Sequence, residues 1–147
     1  MKLGIASDHR GYNLKEEIKN NLDIDIIDYG TNSTESCDYP DYAYKLSKAV
    51  TSNEVDFGIA ICGSGIGISI ACNKVKGIRC AKVESKEEAM YTRNDNDSNI
   101  VAFSEKTKLD TALQIIDKFI NTPFSNEEKH IRRINKIKEI EEGTYEG

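Results

Sequence analysis

Two kinds of hydrophobic pattern alternate along the chain. Short apolar runs occur at Lys2–Ala6 (KLGIA), Asp25–Tyr29 (DIIDY), Phe57 to Ile61, Gly77–Val83 (GIRCAKV) and Ile100–Phe103 (IVAF). Their length predicts strands; the apolar run Phe57, Ile59, Ala60, Ile61 suits a strand covered on both faces of a sheet, while DIIDY alternates apolar and polar. Between them lie stretches in which apolar residues recur every three or four positions, as on one face of a helix. Tyr12–Asn21 places Leu14, Ile18 and Leu22 on one face, and Asp41–Thr51 places Tyr42, Leu46 and Val50. Ile66–Asn73 is a short apolar helix. A further helix starts after Ser85, with Glu88 three residues on in capping-box spacing, and runs to about Arg93. Leu109–Asn121 turns Leu113, Ile116 and Ile120 inward and is stopped by Pro123; Asn126–Glu142 follows. Strand then helix, repeated, predicts a three-layer α/β domain with a parallel sheet. With 147 residues and no internal repeat or linker, residues 1–147 are expected to form one domain.

Composition adds mainly exclusions. The chain is 38% hydrophobic and 31% charged, with a net charge of −5, which argues against general affinity for nucleic acid. Met1 leads straight into a strand, without a leader or a membrane span. Cys37, Cys62, Cys72 and Cys80 show neither a CxxC pair nor a zinc spacing. A cytoplasmic protein with reduced thiols is therefore expected.

The chemistry concentrates in Val55–Asn73, VDFGIAICGSGIGISIACN. A buried strand ends at Cys62, and Gly63, Gly65 and Gly67 lead into a helix. Glycine lets the backbone reach positive φ and lets a ligand approach it. The free N–H groups of the helix start then make an anion cradle. A thiol beside such a cradle is placed to act as base or nucleophile; the same residue also suits a small buried hydrophobe. The spacing is neither a Walker P-loop nor a dinucleotide fingerprint. Asp8 and His9 end the first strand, where α/β sheets bind ligands, although a capping carboxylate and a surface histidine account for them equally simply. The run Asn94–Asn99 reads on position alone as a turn before the fifth strand. In the last helix Lys129 and Arg133 share a face and suit either a phosphate clamp or a solvated basic surface. Its stripe of Ile131, Ile134, Ile137 and Ile140 fits a core contact or a dimer contact.

The blocks SDHRGYNLK, DYPDYA, ICGSGIGISIACNKVKGIR and NDSNIVAF resemble the type B ribose-5-phosphate isomerases and the related galactose-6-phosphate isomerase subunits, over nearly the whole chain. The resemblance implies a Rossmann-like sandwich with a five-stranded parallel sheet. It implies an enzyme that interconverts ribose 5-phosphate and ribulose 5-phosphate through a cis-enediolate, with no metal or organic cofactor. It also implies a homodimer, or a tetramer built from it, whose partner completes each site, with helix 126–142 at the interface. By position, Cys62 resembles the base, with Ser64 beside it. Gly63, Gly65, Ile66 and Gly67 resemble the anion hole. Asp8, His9 and Asn96 match substrate contacts, and Lys106, Lys129 and Arg133 match phosphate-binding arginines.

Two departures bear on the substrate. Asp95 stands where the family has the histidine that opens the furanose ring, and a carboxylic acid of ordinary strength is a poor proton donor near pH 7. Ring opening then falls to Asp95, to His9, or to the solution. Lys106 and Lys129 replace arginines and lose the bidentate fork. A six-carbon substrate (galactose or allose 6-phosphate) and a non-catalytic phosphosugar-binding subunit are the alternatives these departures leave open.

Overall fold

A computed structural model describes all 147 residues. Five strands, β1 (Lys2–Ser7), β2 (Asp25–Asp28), β3 (Phe57–Cys62), β4 (Cys80–Lys82) and β5 (Ile100–Ser104), form one sheet in the order β2-β1-β3-β5-β4. Every neighbouring pair is parallel, with Ile5 opposite Ile59 and Ile59 opposite Val101. Six helices connect and follow the strands: α1 (Tyr12–Asn21), α2 (Tyr39–Thr51), α3 (Ile66–Asn73), α4 (Lys86–Asn96), α5 (Leu109–Asn121) and α6 (Glu128–Glu142).

Alternation along the strands divides the core in two. Leu3, Ile5, Ile59, Ile61, Val101 and Phe103 point to one face, where Ile18 of α1, Ala89 of α4 and Ile115 and Phe119 of α5 cover them. Ala6, Ala60, Cys62 and Ala102 point to the other face, under Leu46 of α2 and Ile68 of α3. Small residues on that second face let α2 come close: a methyl group added at Gly4 would lie 2.8 Å from Leu46. Both faces are covered, which is why Phe57–Ile61 and Ile100–Phe103 read as unbroken apolar runs.

The bounds differ from the sequence reading in several places, and α6 starts at Glu128 rather than Asn126. α2 starts at Tyr39, two residues ahead of the expected Asp41, because proline is tolerated in the first helical turn and Pro40 sits there. β4 covers only Cys80–Lys82; the residues before it turn instead, with Arg79 N–H bonded to the Asn99 side chain. α4 continues through Asn96 and ends at Asp97, whose φ of 48° is left-handed. The polar run is thus half helix. The expected cap is present: Ser85 Oγ accepts the Glu88 N–H at 3.2 Å.

Two buried cations brace the frame. Lys15 is fully buried and meets Asp28, which Lys19 also reaches at 2.7 Å. Arg93 lies against the touching rings of Phe57 and Phe119, 4.8 and 5.8 Å from their centres. Its guanidinium donates to Asp97 Oδ1, Ser98 O and Thr122 O. No helix is long and apolar enough to cross a membrane.

Candidate active site

The sheet order places β1 and β3 side by side with their following helices on opposite faces. Such a switch point opens a crevice at the carboxyl ends of the strands. The loops after β1, β3 and β5 meet there. Asp8 N–H donates to Ile61 O, Glu105 N–H to Cys62 O, and Ser104 Oγ to Gly63 O at 2.7 Å. An Arg10–Glu105 ion pair of 2.8 Å crosses from the first loop to the third.

Cys62 is the last residue of β3, and its buried Sγ faces the start of α3. The Gly65 N–H points at this sulfur from 3.2 Å. Gly65 caps α3 with φ of 79°, and a methyl group there would meet the Phe103 backbone at 2.7 Å. Only glycine meets both conditions without strain. Gly63 differs: its nearest contact for an added methyl group is Arg10 at 3.8 Å, so its backbone lies open. Ser64 is exposed, and its Oγ accepts the Ile66 N–H at 3.1 Å. The Tyr39 ring lies over Gly67.

Asp8 is buried. Its Oδ1 accepts the N–H groups of Arg10 and Gly11 at 3.0 and 3.1 Å, the capping role that composition allowed. Oδ2 makes no hydrogen bond. His9 Nδ1 accepts the Cys37 N–H at 3.2 Å. The neutral ring therefore carries its hydrogen on Nε2, as a donor. Lys106 is exposed just past β5, on the same edge, and its N–H bonds to Ser104 Oγ.

The remaining candidates stand at the opposite edge. Asp95 and Asn96 end α4, next to Asn99, whose carbonyl bonds to Gly58 at the start of β3. α6 is tied to that amino edge: Glu141 accepts the Gly77 N–H, and Ser125, ahead of α6, donates its N–H to Asn94 O. Lys129 and Arg133 are exposed on it. The largest cleft, about 580 Å³, lies here and is walled by Arg79, Cys80, Asn96, Ile137 and Ile140. One chain thus gathers Asp8, His9, Cys62 to Gly67 and Lys106 at one edge. It holds Asp95, Asn96, Lys129 and Arg133 at the other. Of the isoleucine stripe only Ile134 is buried; Ile131, Ile137 and Ile140 are 41%, 44% and 62% exposed.

Four participants were not legible as such in the sequence. Ser104 and Glu105 join the glycine turn only because β5 pairs with β3. Cys37 fixes the His9 ring from a loop with no pattern of its own. His130, which no pattern in the sequence marks, is buried beside Asp95.

A crevice at a parallel-sheet switch point, with a thiol facing backbone donors and cations on exposed surfaces, defines a site for a small anionic substrate. Residues 3–137 match the family model described as Ribose/Galactose Isomerase, and the chain belongs to that family. It is similar to a putative sugar phosphate isomerase of Bacillus subtilis, 46% identical with 97% of this chain and 98% of the relative covered. It is similar to ribose-5-phosphate isomerase B of Escherichia coli, 39% identical with 96% and 97% covered. The solved ribose-5-phosphate isomerase B of Clostridium thermocellum superposes with a TM-score of 0.94 at 48% identity, over 97% of this chain and 99% of that one. A Mycoplasma genitalium ribose-5-phosphate isomerase B, solved with bound ribulose-5-phosphate, gives 0.88 at 35% identity, over 96% of each. The chain is a sugar-phosphate isomerase with the Rossmann-like fold of the type B ribose-5-phosphate isomerases.

Proposed function

We propose that the chain interconverts ribose 5-phosphate and ribulose 5-phosphate by moving one proton between C1 and C2 through a cis-enediolate. The observation that carries this reading is the Cys62 sulfur, held at the end of β3 opposite the Gly65 N–H. As base, Cys62 takes the proton on the carbon next to the carbonyl. The oxyanion that forms is met by the backbone N–H groups of Gly63 and Gly67, and by those of Gly65 and Ile66 as they turn from the Cys62 sulfur and Ser64 Oγ. Such preorganised donors lower a barrier by roughly 3–4 kcal/mol each. Ser64 exchanges the oxygen-bound proton beside the base. Asp8 Oδ2 and His9 Nε2 orient the sugar hydroxyls. Lys106, Lys129 and Arg133 hold the phosphate, which supplies orientation at a distance from the reacting carbons.

These groups stand at two edges of one sheet, so the working site takes one edge from each of two copies. The exposed isoleucines of α6 supply an apolar surface for that pairing, which makes residues 1–147 one half of a homodimer. The Mycoplasma relative with bound ribulose-5-phosphate supports the pentose substrate.

The test is isomerisation of ribose 5-phosphate by the purified chain beside Cys62→Ala. The expected result is turnover in the first and loss of at least about 10³-fold in the second. Turnover that survives Cys62→Ala refutes the base assignment. A chain inactive on pentose but active on galactose or allose 6-phosphate refutes the substrate. Tight phosphosugar binding without turnover leaves a binding subunit.

A further inference from the structure

The chain has two histidines. His9 belongs to the crevice already described. His130 lies in the first turn of α6, at the other edge, within a set of groups the scheme above leaves idle. Its Nδ1 is 2.7 Å from Ser125 Oγ and 3.4 Å from Glu127 Oε2. Ser125 Oγ already accepts the Glu127 N–H at 3.2 Å, which fixes it against the ring. Phe124 lies alongside, its ring centre 6.4 Å away. Nε2 makes no hydrogen bond. It faces Asp95 Oδ1 across 3.7 Å, too long for one. Asp95 Oδ1 accepts from Asn94 Nδ2 at 2.7 Å, and Oδ2 is free. The His130 side chain is 10% exposed and that of Asp95 46%, so a ligand reaches the pair from the Asp95 side. Lys129 and Arg133 flank His130 on the same helix, and Asn96 follows Asp95. The pair therefore sits among the groups assigned to the substrate.

We infer that His130 and Asp95 together open the ring of the cyclic sugar phosphate, His130 as acid and Asp95 as base, an assignment that rests on the isomerase reading above. Opening a furanose moves one proton from the anomeric hydroxyl to the ring oxygen. Both oxygens are bonded to the same carbon, so acid and base must stand side by side, as Nε2 and the Asp95 carboxylate do. Asp95 takes the hydroxyl proton, and that O–H electron pair forms the carbonyl. The bond from C1 to the ring oxygen breaks, and its electron pair stays on the ring oxygen. The ring oxygen takes the Nε2 proton of the imidazolium. Transfer of the proton from Asp95 to Nε2 resets the pair, and nothing is oxidised or reduced. Ser125 and Glu127 are positioning residues at Nδ1. On this assignment Asp95 is one half of an acid–base pair whose other half is on α6, and its weakness as a proton donor is no obstacle.

The experiment compares the two directions. Ribose 5-phosphate is cyclic, whereas ribulose 5-phosphate, with its terminal hydroxyl phosphorylated, is open-chain. For His130→Asn, at enzyme concentrations where turnover of the open form outruns ring opening in solution, the initial rate from ribose 5-phosphate should fall by about 10²-fold or more, the usual weight of general acid–base catalysis. Initial rates from ribulose 5-phosphate should stay within about threefold of wild type, since no ring opens in that direction. With rising variant concentration the aldose rate should level off at the rate of ring opening in solution. A variant that had merely lost structure would lose both directions alike. If His130→Asn does not fold, His130→Gln and Asp95→Asn read the same asymmetry. An active wild type with equal loss in both directions, or no loss, overturns this inference and leaves the isomerase reading standing. A wild type without turnover in either direction overturns both.

Discussion

Replacing Gly65 with alanine tests the glycine turn most directly. The residue has φ of 79°, and its added methyl group would sit 2.7 Å from the Phe103 carbonyl carbon and 2.9 Å from its Cα. Both are backbone atoms of a central strand, so no side chain can swing away. Left-handed backbone costs a non-glycine residue roughly 1–2 kcal/mol. Forcing extra volume into a packed site adds about 1–3 kcal/mol. Together these give about 2–5 kcal/mol, which for a domain of this size lowers Tm by roughly 4–20 °C. The turn relaxes by moving away from β5, and the Gly65 N–H leaves the Cys62 sulfur. Turnover should then fall by about 10²-fold, as for loss of one oxyanion donor. Gly63→Ala is the control, because its methyl group meets nothing closer than 3.8 Å. It should melt within about 2 °C of wild type, as an unstrained substitution does. Thermal unfolding followed by circular dichroism, beside an isomerase assay, reads both effects. Equal melting of the two variants, or full activity in Gly65→Ala, would refute the reasoning.

Two further predictions concern the frame. Burial pushes the Asp28 carboxyl up, but hydrogen bonds from Lys15, Lys19 and the Gly30 N–H outweigh it and hold the group below its usual range. Folded Asp28 then binds fewer protons than unfolded Asp28, so its contribution is complete above about pH 4 and is lost as pH falls below that. Urea unfolding measured from pH 6 downward should show a shallower acid limb for Asp28→Asn than for wild type; superimposable limbs would contradict the assignment. Arg93→Met keeps the apolar stem against Phe57 and Phe119 but strips partners from Asp97, Ser98 O and Thr122 O. The expected cost is about 2–4 kcal/mol of unfolding free energy, and a change under about 0.5 kcal/mol, the usual range for an inert surface substitution, would count against it.

The central elements were legible in the sequence because a strand covered on both faces has to be apolar throughout, and Phe57–Ile61 and Ile100–Phe103 are. Gly65 was legible because a left-handed turn packed against the backbone of β5 demands glycine. Asn94 to Asn96 misled for a physical reason. Asparagine and aspartate favour turns by local preference, yet Arg93, anchored against two aromatic rings and bonded to Asp97 and Ser98 O, carries the helix one more turn. β4 was read too long because Gly77 to Arg79 lie in a turn held by Asn99, a contact made only after folding. The grouping of His130 with Asp95 and Ser125 had no local signal at all, since it depends on how α6 returns to the end of α4.

On the pairing of two copies proposed above, the division of candidate groups between the two edges of one sheet has a consequence in mass action. A site that draws on both edges does not exist in a lone chain, whatever its fold. At concentrations well below the dissociation constant of the pair, sites appear as the square of the chain concentration, and activity per chain fades on dilution without any unfolding. A mixed pair also sorts its lesions. A defect at the Cys62 edge of one copy and a defect at the α6 edge of the other fall in the same site and leave the second site whole.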